Sequence, residues 1–204
     1  MTAELCVGWA RDEAKTADPF TWAQRLDSLR PFSHYLAGID AATEFPFGSP
    51  FGRTARRLSP HIFTSAEIRR VVDEAAMLRP TTPLRPATFA TMFGLLAATG
   101  LRISEALALR LVDTDLSIGQ LTVRVSKFGG SRLVPLHSTT VQALERYIAR
   151  RKRHADNSAG TCLFTCHPDG RAVLYATAFY AFTRLPAYKE IRSRGGHPWV
   201  RIHD

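Results

Sequence analysis

Apolar residues in this chain hold helical spacing up to Leu109, alternate like a strand from Leu121 to Val125, and then return to helical spacing. That change of period limits the fold more than any other feature. Helices on both sides of one short alternating stretch imply an α+β chain, mostly helical, with a small antiparallel sheet set among the helices. Leu121, Val123 and Val125 alternate with Thr122 and Arg124, Phe128-Gly129-Gly130 reads as a turn, and Arg132 to Leu136 reads as the returning strand. Leu116 to Ile118 is the candidate third strand.

The flanking helices are marked by their ends. Thr64-Ser65-Ala66-Glu67 is a capping box, a hydroxyl followed three residues later by glutamate, and Ile68, Val71, Val72, Ala75 and Leu78 then share one face. Prolines 80, 83 and 86 stop that helix and start another through Phe89, Met92, Phe93 and Leu96, which ends at Gly100. A short helix follows Ser104. Beyond the sheet, Thr139 with Gln142 suggests a cap, with Val141, Leu144 and Ile148 buried. The opposite side carries Arg146, Arg150 and Arg153, a stripe suited to solvent or to DNA. Leu163-Phe164 reads as a short strand, and Tyr175 to Leu185 as a last helix with Phe179 and Phe182 inward. Tyr147 and Tyr180 fall at interior helical positions.

Residues 1–20 are weakly patterned. Thr21 to Ala37, with Trp22, Leu26, Leu29, Phe32, Tyr35 and Leu36, reads as an amphipathic helix ended near Gly38. Glu44 to Arg57, containing Pro46-Phe47-Gly48-Ser49-Pro50-Phe51-Gly52, reads as a linker. The expected division is therefore residues 1–58 and 59–204.

Charge divides along the same line. Residues 1–60 carry seven basic and seven acidic groups, whereas residues 61–204 carry 20 and 11, giving the whole net charge of +9. A basic second part attracts polyanions, nucleic acid first among them. No stretch approaches the roughly 20 apolar residues that span a bilayer, and no basic-then-apolar leader opens the chain, so a cytoplasmic protein without a membrane partner is expected. Cys162, Cys166 and His167 lack the second ligand pair that a zinc site uses, so no metal is expected.

At Thr99-Gly100-Leu101-Arg102-Ile103-Ser104-Glu105 the chain resembles the tyrosine recombinases, also called phage integrases. The similarity continues through Leu107-Ala108-Leu109, Asp113-Thr114-Asp115 and the basic hairpin from Val125 to Leu136. It resumes at Arg201-Ile202-His203-Asp204. It covers about residues 60–204, with a looser similarity of the helix Thr21 to Gly38 to the family's DNA-clamping N-terminal region. The resemblance implies the catalytic core of that family, incomplete, beside a partial clamping region. It implies that a tyrosine attacks a DNA phosphodiester, leaving a 3′-phosphotyrosine link and a free 5′-hydroxyl. Two arginines and a histidine-type residue hold the phosphate, and a hairpin lysine protonates the leaving oxygen. Neither metal nor other cofactor takes part.

Carried over residue by residue, Arg102 and His203 are the expected phosphate holders and Lys127 the general acid. Arg102, Lys127 and Arg132 are the expected DNA contacts. Each position also has a plainer reading. Arg102 could pair structurally with Glu105, Lys127 could be a solvated turn residue, and His203 could fray at the chain end. Glu105 is expected to pack against or orient Arg102.

The departure from the family lies after His203-Asp204, where the pattern would continue to a second arginine and then to the nucleophile. All five tyrosines, at 35, 147, 175, 180 and 188, precede His203. The expectation is a truncated integrase of mobile-element origin that binds double-stranded DNA and does not cut it alone. Uncovered apolar faces on helices 86–99 and 175–185 would make it marginally stable. The other readings are a non-catalytic protein that occupies recombination sites and blocks an intact recombinase homologue, an active recombinase whose remaining residues are supplied by another chain or by a frameshift, and an unrelated helical regulator.

Overall fold

The computed structural model describes residues 1–12, 17–52, 59–124, 130–194 and 199–202. The chain forms two compact units, Met1–Leu58 and Ser59–Asp204. In the first, the weakly patterned start forms helix α1 (Ala3–Asp12), followed by α2 (Pro19–Ala37). Asp18 caps α2: its Oδ1 accepts the Thr21 N–H at 2.9 Å, and Pro19 starts the helix where no N–H is needed. Cys6, Ala10 and Leu26 make a small core, against which Leu29, Phe45 and Phe51 pack. Two aromatics of the supposed linker thus return to this core, and Arg11 and Arg30 lie over their rings at 5.0 and 4.8 Å. Phe32 and Tyr35, which the helical pattern placed on the buried side of α2, are exposed.

The second unit begins with α3 (Ser65–Ala76), whose capping box forms as the sequence indicates, and α4 (Arg85–Thr99) packs along it. Gly100 ends α4 at φ 65°, in the left-handed region that glycine reaches without strain. Helix α5 (Ile103–Ala108) and a single 3₁₀ turn (Leu111–Asp113) lead into the sheet. Strands β1 (Thr114–Asp115), β2 (Gln120–Val123) and β3 (Arg132–Pro135) pair antiparallel in that order, with Leu121 opposite Val134 and Val123 opposite Arg132. Helices α6 (Ser138–Arg151), α7 (Tyr175–Thr183) and α8 (Pro186–Glu190) complete the unit. Phe89, Met92 and Leu95 of α4 meet Leu121 of β2, Leu144 of α6 and Phe182 of α7 in one core.

Four local expectations are corrected. Leu116–Ile118 is a turn, not a strand, because Asp115 Oδ1 accepts the N–H groups of Ser117 and Ile118 and reverses the chain there. The third strand is β1 itself. Helix α6 is capped by the His137 ring, whose Nδ1 accepts the Thr139 N–H at 3.3 Å, in place of Thr139. Leu163 and Phe164 are buried without forming a strand; the only isolated bridge at this place among the described residues joins Arg110 and Cys162. In α7 the buried face is Ala178, Ala181 and Phe182, so Phe179 (43% exposed) and Tyr180 (51%) point outward. The small alanines let α7 sit close to the core, and the aromatics go where there is room.

Arg151 is fully buried and was not singled out in the sequence, although its neighbours in the basic stripe were. Its guanidinium ties the chain from Asp156 to Leu163 onto α6. Nη1 donates to Asp156 O at 2.6 Å and Asn157 Oδ1 at 2.8 Å, Nη2 to Cys162 O at 2.8 Å and Thr161 Oγ1 at 3.0 Å, and Nε to Leu163 O at 3.2 Å. Tyr147 closes the same region, donating to Leu163 O and accepting from Thr165 N. Arg151→Ala would strip Cys162 O of its donor and leave Asp156 O and Leu163 O with only Thr161 Oγ1 and the Tyr147 hydroxyl. We expect it to cost about 3 kcal/mol or more in urea denaturation, against less than about 0.5 kcal/mol for Arg153→Ala on the surface.

Candidate functional site

Leu101 is buried and Arg102 is extended (φ −67°, ψ 146°), so the chain leaving Gly100 turns outward for one residue before α5 begins. The Arg102 side chain is 61% exposed as a result. Glu105, three residues on, turns back toward it. Its carboxylate is 5% exposed and accepts four hydrogen bonds. Oε2 takes the Arg102 backbone N–H at 2.9 Å and Arg132 Nη2 at 2.8 Å; Oε1 takes Arg132 Nη1 at 2.9 Å and Arg102 Nη1 at 3.3 Å.

These distances divide the labour between the two arginines. Arg132 reaches across from β3 and sets its fork squarely on Glu105, a bidentate geometry that satisfies both oxygens. Arg102 is left with the longer contact and with most of its donors open to solvent. The Arg132 hydrogen bonds hold the Glu105 carboxyl down at about 2, against the opposing effect of burial, so it is ionised wherever the protein is folded near neutrality. One buried negative charge thus faces two guanidinium groups, and the trio keeps a net positive charge.

A cleft of about 570 Å³ opens beside this trio. Arg102 and Arg201 supply its cationic groups, and Ile62, Phe63, Phe93 and Phe182 are among its apolar walls. An anion seated here would meet guanidinium donors against a poorly hydrated background, which strengthens each hydrogen bond. Ile62 and Phe63 are tied in place by a second carboxylate. Glu67 accepts from Thr64 N at 2.7 Å and from Arg194 Nη2 at 2.8 Å, and Arg194 Nη2 also donates to Ile62 O at 2.9 Å. Burial pushes the Glu67 carboxyl upward, but hydrogen bonds from Thr64 and Arg194 outweigh it and bring it to about 2.

The structure brings Arg102 and Arg132 together through Glu105. Lys127 and His203 lie outside the described residues. Arg201 lines the cleft without having been assigned a role from sequence; its place two residues before His203 in the quoted motif was the available signal. Among the described residues no group of His, Cys, Asp and Glu is placed to hold a metal, and no helix is long and apolar enough to cross a membrane.

Comparison with known proteins gives a consistent set. Residues 62–194 match the phage integrase family. The chain is 37% identical over 211 residues to integrase/recombinase y4rB of Sinorhizobium fredii, an alignment covering all of this chain and 66% of that protein. It is 32% identical over 138 residues to tyrosine recombinase XerD of Caulobacter vibrioides, covering 68% of this chain and 44% of that one. The chain therefore spans less than two thirds of the length of these curated relatives. Among solved structures, the XerH site-specific recombinase in a post-cleavage complex with palindromic difH substrate superposes with a TM-score of 0.61 at 14% identity. That match covers the whole of this chain and 58% of XerH.

Glu105→Gln tests the trio. A carboxyl held below its ordinary value stabilises the fold above that value and loses the effect as pH falls from about 4.5 toward 2. With Arg132 and Arg102 partly exposed, solvent screening brings the stabilisation to on the order of 2 kcal/mol. We expect Glu105→Gln to be less stable by about that amount at neutral pH, and to lose less stability than the wild type between about pH 4.5 and 2, in denaturant titrations at each pH.

Proposed function

Because the chain belongs to the phage integrase family, we propose that it serves site-specific DNA recombination, gripping the backbone of double-stranded DNA at the cleft that holds Arg102 and Arg201. The observation that carries this reading is the exposed guanidinium of Arg102, aimed by a buried carboxylate that Arg132 already satisfies. A phosphodiester offers what the arrangement lacks, an anion for donors that Glu105 leaves open. The names of the relatives, integrases and recombinases, favour strand exchange over mere occupancy of a site. The XerH structure is itself a complex with its difH substrate.

In this reading Arg102 holds a non-bridging phosphate oxygen and gains strength as charge builds there in the transition state. Lys127 gives a proton to the 5′ oxygen as its bond to phosphorus breaks, and His203 supports a second phosphate oxygen. Arg132 contributes mainly by keeping Glu105 from closing on Arg102, and adds a backbone contact of its own. Residues 1–58 form part of a clamp on the duplex. Exchange of one phosphoester for another needs no metal and no nucleotide, because the covalent link conserves the bond energy. Such a chain belongs to a mobile genetic element and acts inside the cell.

The attacking hydroxyl is a separate matter. None of the five tyrosines lines the cleft among the described residues, and Tyr147 is buried beneath Thr88 and Thr165. These 204 residues therefore present no attacking hydroxyl at the cleft, and the nucleophile of a phosphotyrosine bond would come from outside them.

Two measurements test this. Duplex affinity should fall steeply with salt, and Arg102→Ala should weaken it about tenfold while making the slope of log K against log salt shallower by about one. Affinity unchanged by Arg102→Ala would count against the cleft. Incubation of the 204-residue chain with nicked inverted-repeat DNA should trap no covalent adduct in denaturing gels, and any adduct would refute the account of the tyrosines.

A further inference from the structure

His61 is 1% exposed, and phosphate binding at the cleft gives it no direct task. Both ring nitrogens are nonetheless engaged. Nδ1 accepts the backbone N–H of Arg194 at 3.1 Å, so the ring proton sits on Nε2 and points to Glu67 Oε2 at 3.4 Å. Phe63 meets the ring edge-on, with centroids 4.7 Å apart. The charged groups the structure sets against the ring are Glu67, from the first turn of α3, and Arg194. These two also bond each other, and Arg194 holds Ile62 O. The knot therefore joins three pieces of chain, residues 61–64, the start of α3, and Arg194. Ile62 and Phe63 of that knot wall the cleft that contains Arg102.

We propose that His61 is a positioning residue for the cleft wall, and that proton uptake at its Nδ1 unfastens Arg194 from the segment that carries Ile62 and Phe63. This rests on the reading of the cleft as a DNA site. A proton from solvent takes the Nδ1 lone pair. The imidazolium then has two N–H donors and no acceptor, so the Arg194 amide loses its partner and faces a like dipole. The new positive charge also competes with the Arg194 guanidinium for the single carboxylate of Glu67. The direction is distinctive: added positive charge generally strengthens DNA binding, whereas loosening the wall weakens it.

The test compares wild type with His61→Asn, whose side-chain oxygen accepts the Arg194 N–H and never titrates. Two quantities are followed from about pH 7.5 to about pH 5.5 at constant ionic strength: protection of the Arg194 amide against hydrogen exchange, corrected for intrinsic rate, and affinity for a fluorescently labelled mixed-sequence duplex. In wild type, protection should fall about tenfold and affinity about three- to tenfold; in His61→Asn both should hold within about twofold. His61→Leu, if it folds, should show the low-protection state at every pH. Unchanged protection of Arg194 in wild type overturns the proposal, as does a fall in protection without a fall in affinity, or an equal fall in His61→Asn. Failure of wild type to bind duplex at about pH 7.5 would instead strike the DNA reading, and the exchange measurement would still judge His61.

Discussion

The carboxylate of Glu105 is the point on which the second unit's chemistry turns. It is buried, ionised and shared, accepting the Arg102 backbone N–H that starts α5, the fork of Arg132 on β3, and a longer contact from the Arg102 side chain. Removing it would leave two guanidinium groups close together with nothing between them, and would free the start of α5. Removing Arg132 instead would let Glu105 close on Arg102 and draw it out of the cleft. The exposed arginine is thus held by competition: one cation satisfies the anion so that the other stays open.

Two other carboxylates repeat the design. Asp113 is buried, its Oδ2 accepts the Arg110 N–H at 3.0 Å at the start of the 3₁₀ turn, and its Oδ1 pairs with Arg124 at the end of β2. Glu67 does the same at the start of α3, with Arg194 as its cation. In each case an acidic side chain closes the first turn of a helix and carries an arginine from a distant part of the chain. Helix starts are where backbone donors lack partners, so a buried carboxylate there is satisfied by short-range bonds first and can then fix a long-range one. The apolar core joins the elements, and these three carboxylates set their edges.

What could be read in the sequence was mostly local. The Thr64–Glu67 box and the Gly100 stop depend on residues three or four apart, and they form as written. The motif around Arg102 was equally legible, because its surroundings are consecutive. The strand expected at Leu116–Ile118 failed on one side chain, Asp115, whose turn bonds outweigh the apolar pattern. Helix α7 misled because aromatics lie on both faces at 175, 179, 180 and 182, and packing was decided by the small Ala178 and Ala181. The division of Glu105 between Arg102 and Arg132 links positions 27 residues apart, and the knot of His61 with Arg194 links positions 133 apart. No periodicity encodes either.

The most direct check is a double-mutant cycle on duplex affinity with Arg102→Ala, Arg132→Ala and the double variant, at one fixed ionic strength. If Arg132 acts largely by keeping Glu105 off Arg102, its loss should matter much less once Arg102 is gone. The cycle should then show a coupling of about 1 kcal/mol. Strictly additive losses, or an Arg132→Ala variant that binds as tightly as wild type, would contradict the shared carboxylate as the organiser of the site.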